Sequence, residues 1–289
     1  MDFKQDAQID TGSVVGGGGG GGGGRGGGIA VGGIGGIIMV ILALVLGLNP
    51  GDLLGGGSGQ PDTQQTSNAQ CRTGADVEKN PDCRWPAYMT SLGQYWSQAL
   101  NGFQPTTMRI FSGGVQTACG TANSQVGPFY CPGDQKIYID DDFVGQLLQQ
   151  LGTQQSTAAE AYIVAHEYGH HIQNLTGVLA RSQDGQTGPL SNGVRVELQA
   201  DCYAGVWFKW AAQNPDDVID NITQDDLARI VDAARVVGDD HIQKQSGGGV
   251  NPDGWTHGSS AQRKFWVSKG FNSGDPNQCD TFSTDDLGA

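Results

Sequence analysis

The sequence predicts an α+β fold: a mostly helical domain with a small antiparallel sheet, carried behind one N-terminal transmembrane helix. Three observations point there. Residues 29–48 form a run of 20 residues without a charged side chain. After it, stretches with apolar residues at helical spacing outnumber short alternating β-forming stretches, and the β-forming ones come mostly first, as in an α+β domain rather than an alternating α/β one. Six cysteines, Cys71, Cys83, Cys119, Cys131, Cys202 and Cys279, all follow the run, an even count suited to disulfides in an oxidising compartment.

The elements follow in order. Residues 1–28 are polar and then Gly-rich, with no apolar period to bury, so a disordered cytoplasmic tail is expected. A helix of about 20 residues spans the ~30 Å hydrocarbon core, and glycines are tolerated in lipid. Lys4 and Arg25 precede the run and the next basic residue is Arg72. The positive-inside rule therefore expects a single-pass protein of the cell membrane, N-terminus cytoplasmic and the rest extracytoplasmic. Residues 49–70, of Gly, Ser, Gln, Asp and Pro, read as a flexible linker,. Residues 71–289 are enough for one domain with its own core. Within it, helices are expected at 88–101, about 143–152, 157–175, from Ser191 or Asn192 to about 212, 223–237, and from Ser259 or Ser260 toward 269,. Strands are expected at 108–115 and 129–139,. Six cysteines allow about 15 pairings; the simplest nesting joins Cys71 to Cys83, Cys119 to Cys131 and Cys202 to Cys279.

Charge excludes one class of function. Lys and Arg number 16 against 30 Asp and Glu, a net charge of −14, which argues against nucleic acid as a partner because phosphate neutralisation needs clustered cations. The 48 glycines carry no Gly-X-Y period, so collagen is excluded too,. The acid is almost all Asp: Glu occurs only at 78, 160, 167 and 197, and His only at 166, 170, 171, 241 and 257.

These rare residues converge. His166-Glu167-Tyr168-Gly169-His170 puts two imidazoles at i and i+4 of a helix, on one face and close enough to bind one Zn²⁺ at ~2.0–2.1 Å each. Glu167 is offset by one position, placed to accept a proton from water rather than to ligate. The apolar residues 161–165 upstream make this a buried helix, where polar groups need partners. Catalytic zinc usually keeps three protein ligands, and Glu197 is the best third candidate. Asp201, at i+4 from Glu197, is placed to take the free N–H of a ligand histidine. Ala200 and Ala204 permit close helix approach. His171 points about 100° away around the helix and reads as structural. His257, just before a helix cap, reads either as a donor to a developing oxyanion or as a residue packed on Trp255 or Trp266. Arg263 reads first as a surface ion pair, with an active-site carboxylate or a substrate carboxylate as its alternative partner. The strand at 130–139 is expected at a cleft edge where an extended peptide can add, stiffened by a Cys119–Cys131 bridge.

HEYGHH, RVELQADCYAGVW, GDDHIQKQ and WTHGSSAQRKFW, in that order, with CGTANSQVGPFYCPGDQKIYIDDDF upstream, resemble the bacterial neutral zinc metallopeptidase family. His241 departs from the pattern and is a poor site candidate. The resemblance implies a zincin-like, gluzincin-type domain with Zn²⁺ held by His166, His170 and Glu197, Glu167 as general base, and Asp201 behind the ligands. It also implies an oxyanion-stabilising histidine from a later segment, which would be His257. The expected activity is hydrolysis of a peptide or protein by a membrane-anchored enzyme. Two other functions fit the same residues: a zinc amidase acting on cell-wall peptides, and a non-catalytic metal-bound adaptor.

Overall fold

The computed structural model describes residues 1–16 and 70–288. In chain order the elements are β1 (Asp2–Phe3), β2 (Val14–Gly16), α1 (Ala75–Lys79), α2 (Arg84–Ala99), β3 (Thr107–Phe111), β4 (Gly114–Thr117), β5 (Gly120–Asn123), β6 (Phe129–Cys131), β7 (Lys136–Asp140), α3 (Asp141–Gln150), α4 (Thr157–Leu175), α5 (Asn192–Gln213), β8 (Ile219–Asp220), α6 (Gln224–Val236), α7 (Asp239–Gln245) and α8 (Ser260–Ser273). Helix starts follow side-chain caps visible in the sequence. The Ser191 hydroxyl accepts from the Val194 amide, and Thr223 with Asp226 and Ser259 with Gln262 close reciprocal capping boxes,.

The main sheet runs β2-β3-β7-β6. It is not the antiparallel sheet expected: β2 pairs with β3 and β3 with β7 in parallel, and only β6 and β7 are antiparallel. Alternation along a strand reports which side is buried, not the direction of a neighbour. The expected strand at 108–115 breaks after Phe111, and 129–139 is a hairpin of two strands rather than one. A left-handed residue, Gln135 (φ 55°), lies in its turn.

The N-terminal expectation needs a larger correction. Residues 1–16 are not a disordered tail. Val14 to Gly16 add a parallel strand to β3, Asp2 and Phe3 pair with β8, and Phe3 packs on the core beside Tyr88. The Met1 ammonium meets Asp226 at 2.5 Å. This also overturns the transmembrane helix and the single-pass, extracytoplasmic arrangement. One crossing by residues 29–48 would put 1–16 and 71–289 on opposite sides of a membrane, whereas they share one sheet. Among the described residues no helix is long and apolar enough to cross a membrane; the run 29–48 and the linker 49–69 lie outside them. The disulfides Cys71–Cys83, Cys119–Cys131 and Cys202–Cys279 pair as expected.

What positions the site is the packing of α4, α5 and α8. Helix α4 is buried at every residue from Ala158 to Gln173, as befits a central helix apolar on most faces. Helix α5 approaches it at Gly169, where a Cβ would stand 3.0 Å from the Ala200 Cα. Helix α8 approaches α5 more closely still. A Cβ on Gly270 would lie 2.0 Å from the Cys202 carbonyl oxygen, and one on Gly205 would lie 2.1 Å from that of Val267. These obstacles are helix backbone, which cannot rotate aside. Gly270→Ala is therefore expected to cost at least ~2 kcal/mol, the range for overpacking a tight interior, read by chemical denaturation. A variant as stable as the wild type would contradict this account of the α5–α8 contact.

Candidate metal centre

Helix α4 brings His166 and His170 to one face, with ring centroids 4.7 Å apart. Helix α5 supplies Glu197 opposite them. One ligating atom from each of the three side chains lies within 4.8 Å of the others, and all three residues are buried. Glu197 Oε2 is 3.1 Å from His166 Nε2, and Glu197 Oε1 is 3.5 Å from His170 Nε2. The His170 Nε2 atom is buried with no hydrogen-bond partner. A buried polar atom without a partner is costly, and here it lies between an imidazole and a carboxylate. Two imidazoles, one carboxylate and an orphaned ring nitrogen fit a borderline ion such as zinc.

Both histidines are held from behind. The His166 Nδ1–H donates to Asp201 Oδ1 at 2.9 Å. That oxygen also accepts from the Tyr162 hydroxyl at 2.5 Å and from Arg263 at 2.9 Å, and Arg263 Nε donates to Oδ2 at 2.8 Å. The expectation of a surface ion pair for Arg263 is overturned: it is 4% exposed and grips Asp201 through both oxygens. The His170 Nδ1–H donates to the Gln173 amide oxygen at 2.8 Å. His171 turns away from the cluster, its Nε2–H donating to the Gln104 carbonyl at 2.7 Å and its Nδ1 accepting from the Tyr130 hydroxyl at 3.0 Å.

Electrostatics follow from burial and neighbours. Burial opposes ionisation of Glu197, yet the His170, His166 and His257 imidazoles hold its carboxyl well below the usual range. Burial likewise opposes the Asp201 charge, and Arg263 and His166 outweigh it. For His166, burial works against the cation, but hydrogen bonds to Asp201 and Glu197 carry its pKa up to about 9. Glu167 stands apart: burial lifts its carboxyl above the ordinary range, against the pull of His170 and His166.

His257 is buried just ahead of α8, and its Nδ1 lies 3.1 Å from Asp239 Oδ1. Asp239 Oδ2 accepts the backbone amides of Thr256, His257 and Gly258 at 2.7, 2.7 and 3.0 Å. One carboxylate thus fixes both loop and ring. Burial opposes a charge on His257, but Asp239 raises its pKa overall. His241 lies outside the metal cluster and donates from Nε2 to the Leu151 carbonyl at 2.8 Å.

Sequence reasoning missed Tyr162, Gln173 and Asp239 as partners of the site, and ranked a surface ion pair for Arg263 above the active-site carboxylate it meets. Tyr162 at i−4 from His166 and Gln173 at i+3 from His170 were available from helical spacing. Arg263 and Asp239 come from elements distant along the chain, and no local signal marks them.

The sequence profile of the family described as putative neutral zinc metallopeptidase matches residues 3–282. The uncharacterized protein Rv2575 of Mycobacterium tuberculosis is 48% identical over 257 residues, 85% of this chain and 87% of its own length. The uncharacterized protein YpfJ of Escherichia coli K12 is 38% identical over 256 residues, 86% and 87% of the two chains. No solved structure matches the chain.

A histidine with a pKa near 9 carries its second proton at neutral pH, and that proton occupies a lone pair that a metal needs. Zinc uptake at neutral pH is therefore expected to release about one proton, with apparent affinity rising as pH climbs toward the His166 pKa. Calorimetry in buffers of different protonation enthalpy counts the proton. An affinity indifferent to pH across this range would contradict the assignment.

Proposed function

The chain belongs to the neutral zinc metallopeptidase family, and from that membership we propose that it hydrolyses peptide bonds in a peptide or protein substrate. One observation carries the reading: three buried ligands, His166, His170 and Glu197, converge beside Glu167, a fourth buried group that lies outside the ligand set. A structural zinc site is usually closed by four protein ligands, a catalytic one by three. The cluster's three ligands favour the enzyme over a metal-bound adaptor.

His166, His170 and Glu197 would hold the zinc, which when bound supplies Lewis acidity, polarising a carbonyl and making a water more acidic. The other steps fall to the chain's own side chains. Glu167, its carboxyl lifted by burial, takes a proton from the attacking water and later delivers it to the leaving amine. A raised carboxyl pKa suits both directions of transfer near neutral pH. His257, whose charged form Asp239 favours, would donate its remaining N–H to the negative charge that develops on the carbonyl oxygen. Strand β6, an end strand of the main sheet and bridged from Cys131 to Cys119, is the place for an extended substrate to add as a further strand.

Full-length Glu167→Gln should keep zinc at the wild-type ratio and lose about 10²–10⁴-fold in peptide hydrolysis. His166→Ala should lose the zinc as well, by elemental analysis. Wild-type cleavage rates in Glu167→Gln would falsify this assignment of the base.

A further inference from the structure

The two histidines of the cluster are supported in different ways. His166 rests on a charged carboxylate, His170 on the neutral amide of Gln173. An amide has two ends, and only its oxygen end accepts the Nδ1–H that leaves Nε2 bare. With the amide reversed, its NH₂ would face Nδ1, and the imidazole proton would move to Nε2 and block it. Something must therefore fix which end of Gln173 points at His170.

The amide is tied from the other side. Gln173 is fully buried. Its Nε2 donates to the Val196 carbonyl at 2.7 Å and to the Gln199 amide oxygen at 3.1 Å. Gln199 is an amide with the same ambiguity, and its own Nε2 donates to the Cys279 carbonyl at 3.0 Å. Backbone carbonyls only accept, so the amide that meets the His170 Nδ1–H has one consistent direction, set directly by the Val196 carbonyl and a second time from the Cys279 carbonyl through Gln199. The orphaned Nε2 of His170 is what that direction delivers. Cys279 is itself bonded to Cys202 of α5, one residue beyond Asp201. Just after it, the Thr281 hydroxyl donates to the Arg195 carbonyl at 2.7 Å, and the Arg195 guanidinium donates to the carbonyls of Thr281 and Thr284.

We infer that Gln173 and Gln199 are positioning residues that hold His170 in its metal-binding tautomer, with the carbonyls of Val196 and of disulfide-anchored Cys279 as the two fixed ends of the relay. The C-terminal segment thus takes part in setting metal affinity without touching the metal. This rests on the metal-centre reading above.

The test uses the full chain and zinc alone, with affinity measured by chelator competition below the melting temperature. The cobalt(II)-substituted protein provides an absorption spectrum that reports the ligand field. Gln→Met keeps the volume and removes both hydrogen-bonding ends. Gln173→Met should weaken zinc binding about 10–100-fold and Gln199→Met about 10-fold, the range for partners of metal-ligating histidines, and both should shift the cobalt spectrum. Gln173→Glu, which keeps an acceptor for His170, should restore most of the affinity. A purely structural role would lower the melting temperature without this rescue. If Gln199→Met does not fold, the Cys202→Ala/Cys279→Ala protein provides the comparison, with the same expected weakening. Zinc affinity and a cobalt spectrum like those of the wild type in whichever of these two variants is tested would overturn the relay. A wild type that binds no zinc would instead remove the metal-centre reading itself.

Discussion

Helices α4 and α5 meet nearly backbone to backbone at Gly169 and Ala200, and the spacing of the site is set there. A methyl group on Gly169 would stand 3.0 Å from one backbone atom of α5 and 3.1 Å from the Ala200 side chain. Any larger residue would push the helices apart and carry Glu197 away from His166 and His170. The glycine inside the His-Glu-Tyr-Gly-His run costs helix propensity, and the return is proximity. The same arrangement recurs one layer out, where Gly205 and Gly270 let α8 settle on α5 and bring Arg263 within reach of Asp201.

That reach concentrates charge where water is absent. Asp201 is buried and accepts from His166, Tyr162 and Arg263. A buried ion pair is weak evidence for stability, because desolvation offsets the attraction. Its effect here is geometric: the carboxylate fixes the ring of His166, and the arginine fixes the carboxylate. His170 has no such charge behind it, and its support is a hydrogen-bond direction instead. The centre is thus held by three elements remote in sequence: the α4–α5 pair, the start of α8 with the Asp239-bound loop before it, and the disulfide-bonded C-terminal segment.

Much of the site was legible because helix periodicity is local. His166 and His170 share a face by arithmetic, as do Glu197 and Asp201, and the scarcity of Glu and His singled them out. Caps at Ser191, Thr223 and Ser259 placed helix starts, and pairing neighbouring cysteines was correct. What failed was not local. The direction of neighbouring strands leaves no trace in alternation. The pairing of Val14–Gly16 with β3 depends on a partner some ninety residues away, so a short polar segment read as a free tail. The apolar run at 29–48 matched the length of a bilayer, but length could not reveal that the segments on either side share one sheet. Arg263 looked like a surface charge because nothing near it in sequence announces the buried aspartate it meets.

X-ray absorption at the zinc edge of the full-length loaded protein reads whether two imidazoles and one carboxylate form the metal centre. The expected spectrum has a shell of nitrogen and oxygen at ~2.0–2.1 Å with scattering from two imidazole rings. A sulfur shell at ~2.3 Å, or a spectrum without imidazole scattering, would contradict it.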